Sequence, residues 1–282
     1  MMSPPVPARL HVLMARDALT GVVIRRGPSK HFGLFGWDRK SDQIRLGQWM
    51  IGRIYERRSD LSPDGKHMIY FAMNGRWSDP VSKGSWTAIS RTPYLKAVTF
   101  IPWGDCWQGG GLFLDNTRYW LNSWRGKRME KVSEDQSVIE DVDYDPGPLR
   151  NSECIGVYFP RLLRDGWYEV TDDAAFDAQA LRSHGVFEKP LLYGWVLRKH
   201  AGVGDQSENQ SVYWDTHTLI SPDGDEFTRP RWEWAELDRR SIVYAEAGRL
   251  WRQKILNGKE LAEPNLVYDF NPETFVRQQA PY

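Results

Sequence analysis

Short apolar segments alternate with polar turns along most of this chain. The apolar runs are three to six residues long, their members often alternate with polar residues, and Gly, Pro, Asn or Asp separates one run from the next. Strands that bury one face show this two-residue period, whereas surface helices show a period of about 3.6 residues. The pattern therefore predicts an all-β fold.

Three pairs of apolar segments are spaced as β-hairpins. In each pair a few polar or glycine-containing residues separate two segments, and such residues favour tight turns. The predicted hairpins join residues 31–37 to 43–49, 112–114 to 119–121, and 242–245 to 249–252.

Residues 172–183 are the main candidate for a helix. Their sequence, DDAAFDAQALRS, is rich in Ala, Gln and Leu, and acidic residues stand at its start, where they interact favourably with a helix N-terminus. His184-Gly185 then offers a stop.

Apolar strand cores recur along the chain at roughly regular intervals. Consecutive starts are 36 to 51 residues apart, with a mean of 44. The cores begin near Val22, Ile69, Leu112, Ile155, Leu191 and Ile242. Because a fixed period of about 20 to 50 residues is the signature of repeat architectures, the chain is predicted to contain repeated β units.

The tetrapeptide Ser-Pro-Asp-Gly occurs twice, at residues 62–65 and 221–224. Pro at the second position of a turn, with Asp-Gly after it, favours a tight turn that leads into a strand. An apolar segment, 67–73, follows the first copy, whereas the second copy precedes a weaker candidate strand. The sequence therefore predicts a turn at 62–65 and a strand at 67–73.

The first tetrapeptide and its flanking residues, LSPDGK followed by an apolar strand, resemble the inner-strand turn of bacterial β-propeller repeats of the Tol-type and WD-like kinds. The resemblance is good over residues 60–72 and loose over 100–122 and 231–252. The strict WD repeat also has an upstream Gly-His pair, which is missing here although Trp37-Asp38 and Trp214-Asp215 occur. The resemblance implies a propeller of four-stranded blades around a central channel.

Six such blades would use nearly all of the chain. On this interpretation residues 1–282 form a single propeller domain with short N- and C-terminal tails. A propeller of five blades and a sandwich of two β-sheets are the alternatives.

Composition narrows the possible partners. The chain has 37 basic and 37 acidic residues, so it lacks the excess positive charge of a domain that binds nucleic acid. No apolar run approaches the ~20 residues that span a bilayer, and the first residues lack the features of a signal peptide. We therefore expect a cytoplasmic protein that binds neither nucleic acid nor membrane. The two cysteines, Cys106 and Cys154, are expected to be ordinary core residues.

The common catalytic motifs are missing from the sequence. There is no nucleophile elbow, no phosphate-binding loop and no His-Glu-x-x-His pair, and no cofactor or metal is expected. Asp215 and His217 would share one face of a strand, but a solvent-facing strand edge explains them better than a metal site. Acids at strand ends could still perform hydrolysis, although each is more simply a turn former. These acids are Asp60, Asp105, Asp115 and Asp215.

Two groups of side chains are candidates for binding. Arg25, Arg26, Arg57 and Arg58 lie in two basic segments that a propeller would bring to one rim, and guanidinium groups hold carboxylates or phosphates in a bidentate way. Trp103 and Trp107 could present an aromatic surface to a partner. The alternatives are a rim of internal salt bridges for the arginines and burial between blades for the tryptophans.

The function expected from these features is that of a non-catalytic interaction or scaffold module. One face of the propeller would bind a protein partner, and an acidic one if the arginines form the site. The alternative is a propeller hydrolase, similar to glycosidases or lactonases, that uses carboxylates at the mouth of the channel.

Overall fold

The computed structural model describes residues 6–27, 30–123, 130–147, 152–170, 184–204, 212–256 and 260–282. Within these residues the fold is all-β, as predicted, with twenty strands and a single α-helix. The predicted helix at 172–183 lies outside the described residues. Among the residues described, no helix combines the length and the apolar character needed to cross a membrane.

Five sheets follow one another along the chain, so the described residues form one sheet fewer than the six expected. Sheet A contains β1 (Arg9–Met14), β2 (Thr20–Arg26), β3 (His31–Asp38) and β4 (Gln43–Ile51); sheet B contains β5 (Arg53–Leu61), β6 (His67–Met73), β7 (Ser85–Arg91) and β8 (Ala97–Pro102). Sheet C contains β9 (Gly111–Phe113), β10 (Arg118–Leu121) and β11 (Ile139–Glu140).

The remaining two sheets follow the α-helix, α1 (Ile155–Arg164). Sheet D contains β12 (Tyr168–Glu169), β13 (His184–Pro190), β14 (Val196–Val203), β15 (Tyr213–Ile220) and β16 (Glu226–Arg229). Sheet E contains β17 (Trp232–Asp238), β18 (Ser241–Glu246), β19 (Arg249–Lys254) and β20 (Asn265–Asp269). In sheets A, B, D and E the strands lie side by side in chain order. Neighbouring strands from β2 to β4, and throughout sheets B, D and E, pair in antiparallel register.

The chain divides into two compact units. The larger unit consists of Val12–Arg161 and Glu273–Tyr282, and the smaller unit consists of Met1–His11 and Leu162–Pro272. Sheets B and C belong to the larger unit, and sheets D and E belong to the smaller unit.

The three predicted hairpins are all confirmed. Strand β3 pairs with β4, β9 pairs with β10, and β18 pairs with β19, each in antiparallel register. The polar and glycine-containing residues between the strands thus turn the chain as their chemistry predicts.

Sheet B is buried on both faces, which explains why β6 is apolar without interruption. Its residues Met68 and Tyr70 pack with sheet A, whereas the alternate residues Ile69 and Phe71 pack with sheet C. Successive side chains of a strand point to opposite faces, so a central sheet needs apolar residues at every position.

Two of the six expected strand cores are wrong. Ile155 begins α1, in which every residue from Ile155 to Leu162 is buried, so this part of the helix is covered all round. The short run IGVYF is apolar at consecutive positions, so its period alone does not separate a strand from a buried helix. Val157 packs against Leu112 and Trp120 of sheet C, and the helix thereby covers that sheet.

Leu191 also lies outside any strand. It precedes a 3₁₀ turn, Leu192–Gly194, in which both Tyr193 and Gly194 have positive φ. Left-handed residues interrupt an extended chain, so the next strand begins only at Val196.

The first Ser-Pro-Asp-Gly turn is confirmed. Gly65 N donates to Ser62 O at 2.8 Å, the Ser62 hydroxyl donates to Asp64 at 2.7 Å, and β6 begins at His67. The second copy forms the same turn, in which Gly224 N donates to Ser221 O at 2.9 Å. Both glycines have positive φ, 71° at Gly65 and 89° at Gly224.

The two turns give a matched pair of variants. A Cβ at Gly65 would lie 2.3 Å from Thr20 Cγ2, whereas a Cβ at Gly224 meets nothing within 4 Å. We therefore expect Gly65→Val to lower the free energy of unfolding by about 2 kcal/mol or more, because backbone strain and a clash add, and Gly224→Val to lower it by about 1 kcal/mol from strain alone. Thermal and urea denaturation measure both, and equal destabilisation would show that the clash relaxes.

Candidate functional site

Arg58, one of the predicted binding residues, is fully buried. Its guanidinium donates to the backbone oxygens of Cys106 at 2.8 Å and Gln108 at 2.9 Å, and to the carboxylate of Glu153 at 3.0 Å. It also contacts the Cys154 sulfur at 3.3 Å. These contacts connect the loop after β8 with the residues before α1, so Arg58 has a structural role.

The other arginines contact different elements. Arg57 is buried with its guanidinium 4.8 Å from the ring centroid of Tyr158 in α1, whereas Arg25 is buried with its guanidinium 5.2 Å from the ring of Trp49 in β4. Arg26 is half-buried in β2. Burial lowers the pKa of Arg25, and the nearby carboxylate of Glu273 partly offsets this effect.

Adjacent residues Arg57 and Arg58 are both buried because β5 carries a bulge. Its register with β6 passes from Tyr55 opposite Phe71 to Asp60 opposite Ile69, so the two-residue alternation is lost between them. An anion site at the arginines remains a prediction, and the burial of three guanidinium groups inside the protein weakens it.

The two predicted tryptophans have different environments. Trp103 is buried, and its indole nitrogen donates to the Thr87 hydroxyl at 2.8 Å. Trp107, four residues later, is 65% exposed. Of this pair, therefore, only Trp107 presents a ring to solvent.

Three loops leave sheets A and B at the same end. Arg53, Met73 and Ser85 lie in register across sheet B, and Trp86 is opposite Pro102. The β4–β5 junction, the β6–β7 loop and the β8–β9 loop therefore all begin or end on this row.

These loops carry four exposed apolar side chains, which we call the loop-end surface. Each is between 52% and 65% exposed. The loop-end surface consists of Ile51, Trp77, Val81 and Trp107.

The two longer loops of this surface are held against each other. The Ser85 hydroxyl donates to Asp105 O at 2.5 Å, and Trp103 N donates to Ser85 O at 2.9 Å. The Trp77 ring lies over Gly84, where a Cβ would come within 2.4 Å of it. The absence of a side chain at Gly84 thus lets the Trp77 indole pack there. The next residue, Ser85, bonds the β8–β9 loop, so Trp77 packs close to the loop that carries Trp107.

The sequence pattern pointed to Trp107 but not to Ile51, Trp77 or Val81. Trp77 occurs in the stretch NGRWSDPVSKG, where Gly, Pro, Asp and Ser predict a loop. A large aromatic residue inside a predicted loop is the signal that could have found it, because a loop lies on the surface.

Three of the four acids proposed for hydrolysis make hydrogen bonds or ion pairs that hold the fold. Asp60 accepts from Phe113 N at 2.8 Å, Asp105 accepts from Trp107 N at 3.1 Å, and Asp115 pairs with Arg118 at 2.7 Å. Arg118 and backbone donors lower the pKa of the Asp115 carboxyl well below its usual value.

The strand that carries Asp215 and His217 shows no metal geometry. His217 is buried, with Nδ1 3.0 Å from Trp232 O. Within the described ranges of the chain, no group of three or more His, Cys, Asp or Glu side chains could hold a metal ion.

Comparison with protein-family models and with curated proteins gives no match for this chain. Among solved structures, hydrazine synthase of Kuenenia stuttgartiensis is similar at 12% identity and a TM-score of 0.29, over 90% of this chain and 78% of that one. A TM-score this low supports no argument about fold or function.

Proposed function

We propose that this chain is a β-propeller interaction module that binds a protein partner through the loop-end surface. The observation that carries the proposal is the grouping of four exposed apolar side chains, two of them tryptophans, at one end of sheets A and B. Exposed apolar patches commonly mark interaction sites, and Trp is enriched among the residues that dominate binding energy.

The charges around the surface favour an acidic partner. On the β6–β7 loop Arg76 and Lys83 are exposed, whereas the one acid, Asp79, is half-buried and accepts from the backbone nitrogens of Val81 and Ser82. Charged groups at the edge of an apolar patch raise the rate of association and select partners of opposite charge.

The propeller part of the proposal rests on the order of the strands and on sheet packing. Four sheets have the up-and-down order of propeller blades, and sheets A, B and C pack face to face in sequence. Five blades, one for each sheet, fit this organisation better than six.

The test compares two pairs of exposed apolar residues. Trp77→Ser with Trp107→Ser removes both indoles of the loop-end surface, whereas Ile139→Ser with Val142→Ser removes equally exposed residues elsewhere in the larger unit. We expect the first pair to weaken partner binding about 30-fold or more, as loss of a hot spot does, and the second pair to leave it unchanged.

Quantitative co-purification from the native host identifies the partner, and titration calorimetry with that partner measures the affinity of each variant. Both variants should unfold within about 0.5 kcal/mol of the parent protein, because the changed side chains are exposed. Equal binding by the parent and the Trp77/Trp107 variant would overturn the proposal.

A further inference from the structure

The segment Glu273–Tyr282 lies along the larger unit without forming a strand or helix. We call it the tail. Its described residues make no backbone-to-backbone hydrogen bond with any strand, so side chains and single carbonyl groups hold it in place. Phe275 and Val276 remain 40% and 50% exposed.

Aromatic and acidic groups anchor the first half of the tail. The Phe275 ring lies 5.2 Å from His31 and 6.2 Å from Trp49, measured between ring centroids. Glu273 is close enough to Arg25 to raise the pKa of its guanidinium against the effect of burial. This part of the larger unit therefore accepts an aromatic ring and a negative charge two residues apart.

A second aromatic anchor lies seven residues further along. The Tyr282 hydroxyl accepts from Arg91 N at 3.0 Å and donates to Lys96 O at 2.7 Å. Its ring lies edge-on to Tyr94 at 6.1 Å and within cation–π distance of Arg91 and Lys96. The Lys96 ammonium group also donates to the backbone oxygen of Tyr282.

Gln48 connects the two anchors. Its amide nitrogen donates to Gln278 O at 3.0 Å, and its amide oxygen accepts from Leu95 N at 2.8 Å. The amide group of Gln48 therefore bonds the tail through its nitrogen and the β7–β8 loop through its oxygen.

An open cleft of about 430 Å³ lies beside the tail. Three of its lining residues, Gln48, Trp49 and Lys96, also hold the tail. The remaining lining residues are Met50, Tyr70, Trp86, Leu95, Ala97 and Phe100. A ligand that kept the contacts of the tail and added an apolar side chain in this cleft would bury more apolar surface than the tail does.

We propose that the tail is the intramolecular occupant of a peptide-binding surface, and that a partner peptide of the same chemistry displaces it. The peptide carries an acidic residue, an aromatic residue two positions later and a second aromatic residue seven positions after that. Charge complementarity supports this occupant, because Arg25 interacts with the acidic Glu273 and the Lys96 ammonium group donates to the backbone oxygen of Tyr282. The Arg91 guanidinium adds a cation–π contact with the Tyr282 ring. No residue that holds the tail belongs to the loop-end surface, so the two proposals are tested with different variants.

The test uses the complete chain and a labelled synthetic peptide, ETFVRQQAPY, which reproduces residues 273–282. In the parent protein the tail competes at an effective concentration on the order of millimolar, so the peptide should bind weakly. In the variant Phe275→Ala with Tyr282→Ala the tail loses both ring anchors. Fluorescence anisotropy should then show saturable binding at least ten times tighter than to the parent.

Two controls make the result specific. A peptide with alanine at both aromatic positions should not bind, and Lys96→Glu introduced into the tail variant should abolish binding of the original peptide. If the double variant does not fold, the test uses Tyr282→Phe, which retains the ring and loses only the hydroxyl contacts. The peptide should bind this variant more tightly than the parent protein, by a smaller factor than expected for the double variant.

Three outcomes would overturn the proposal. In the first, the peptide does not bind a folded tail variant. In the second, the alanine peptide binds as tightly as the original peptide. In the third, the parent protein forms concentration-dependent dimers that dissociate when the peptide is added. The last outcome would identify a second copy of this chain, rather than a partner, as the occupant.

Discussion

Replacing Arg58 by Leu is expected to lower the free energy of unfolding by about 3 kcal/mol, because the buried guanidinium loses its bonds to two backbone oxygens and to the partly exposed Glu153. The side chain is 1% exposed, and its removal leaves Glu153 without this partner. The backbone oxygens of Cys106 and Gln108 would lose their bonds to the guanidinium. Stacking near the Phe71 and Tyr55 rings, at 4.8 Å and 5.1 Å, would be lost as well.

Urea denaturation measures the effect, with two reference variants. Arg58→Lys keeps the charge but loses the planar group that reaches several acceptors, so we expect an intermediate loss of stability. Arg45→Leu changes an exposed arginine of β4 and should shift stability by about 0.5 kcal/mol or less. If Arg58→Leu were as stable as Arg45→Leu, Arg58 would have no structural role, and the predicted anion site would regain its main support.

Acid is expected to destabilise the smaller unit through His217. Burial, together with the charge of Lys199, lowers the pKa of His217 from 6.5 to about 3. In the unfolded chain the imidazole takes up a proton near pH 6.5, whereas in the folded protein it stays neutral until the pH approaches 3. The contribution of neutral His217 to stability is therefore complete above pH 6.5 and is lost as the pH falls, by about 1.4 kcal/mol for each pH unit.

The matched variant is His217→Asn. The Nδ1 atom of His217 lies 3.0 Å from Trp232 O, and since a carbonyl only accepts, Nδ1 carries the proton. Asparagine can supply an amide donor near this position but does not titrate. Between pH 6.5 and 4.5 its stability should fall by about 3 kcal/mol less than that of the parent protein.

Burial also lowers the pKa of His184 and His200, which stack at 5.6 Å in the same sheet, so some pH dependence should remain in the His217→Asn variant. Fluorescence-detected urea titrations at several pH values give the slope of the free energy of unfolding against pH for the parent protein and for the variant. Parallel slopes for parent and variant would contradict the assignment of the acid sensitivity to His217.

Local chemistry made several elements predictable from the sequence. The turn at 62–65 and the strand after it follow from Pro-Asp-Gly next to an apolar segment, and the three hairpins follow from polar turns between alternating strands. In each case the decisive interactions join residues close in sequence, so the local composition contains the information.

The errors arose where distant packing decides the structure. The run at Ile155 is apolar enough for a strand, but it forms a helix whose Val157 packs against Leu112 and Trp120, more than thirty residues earlier. The same limit explains why the described residues form five sheets and not the expected six, because that expectation rested on apolar runs of which two, at Ile155 and Leu191, form no strand.

The candidate site shows the same division. The sequence identified Trp107 as a candidate binding residue, and its ring is 65% exposed. It could not separate Trp107 from the buried Trp103, nor show that Arg57 and Arg58 are both buried at a bulge of β5. The exposure of a side chain depends on which other elements pack against it. A bulge also breaks the alternation of buried and exposed positions along a strand, from which burial is inferred.

The sequence by itself therefore determined the all-β class, the hairpins and the turns, because backbone preferences and alternating polarity act within a few residues. Only the tertiary structure decided that α1 covers sheet C, that Arg25, Arg57 and Arg58 are buried, and that the segments carrying the four residues of the loop-end surface meet one end of sheet B. These features depend on contacts between residues far apart in the chain, and the free energy that selects them comes from burial that no local pattern records.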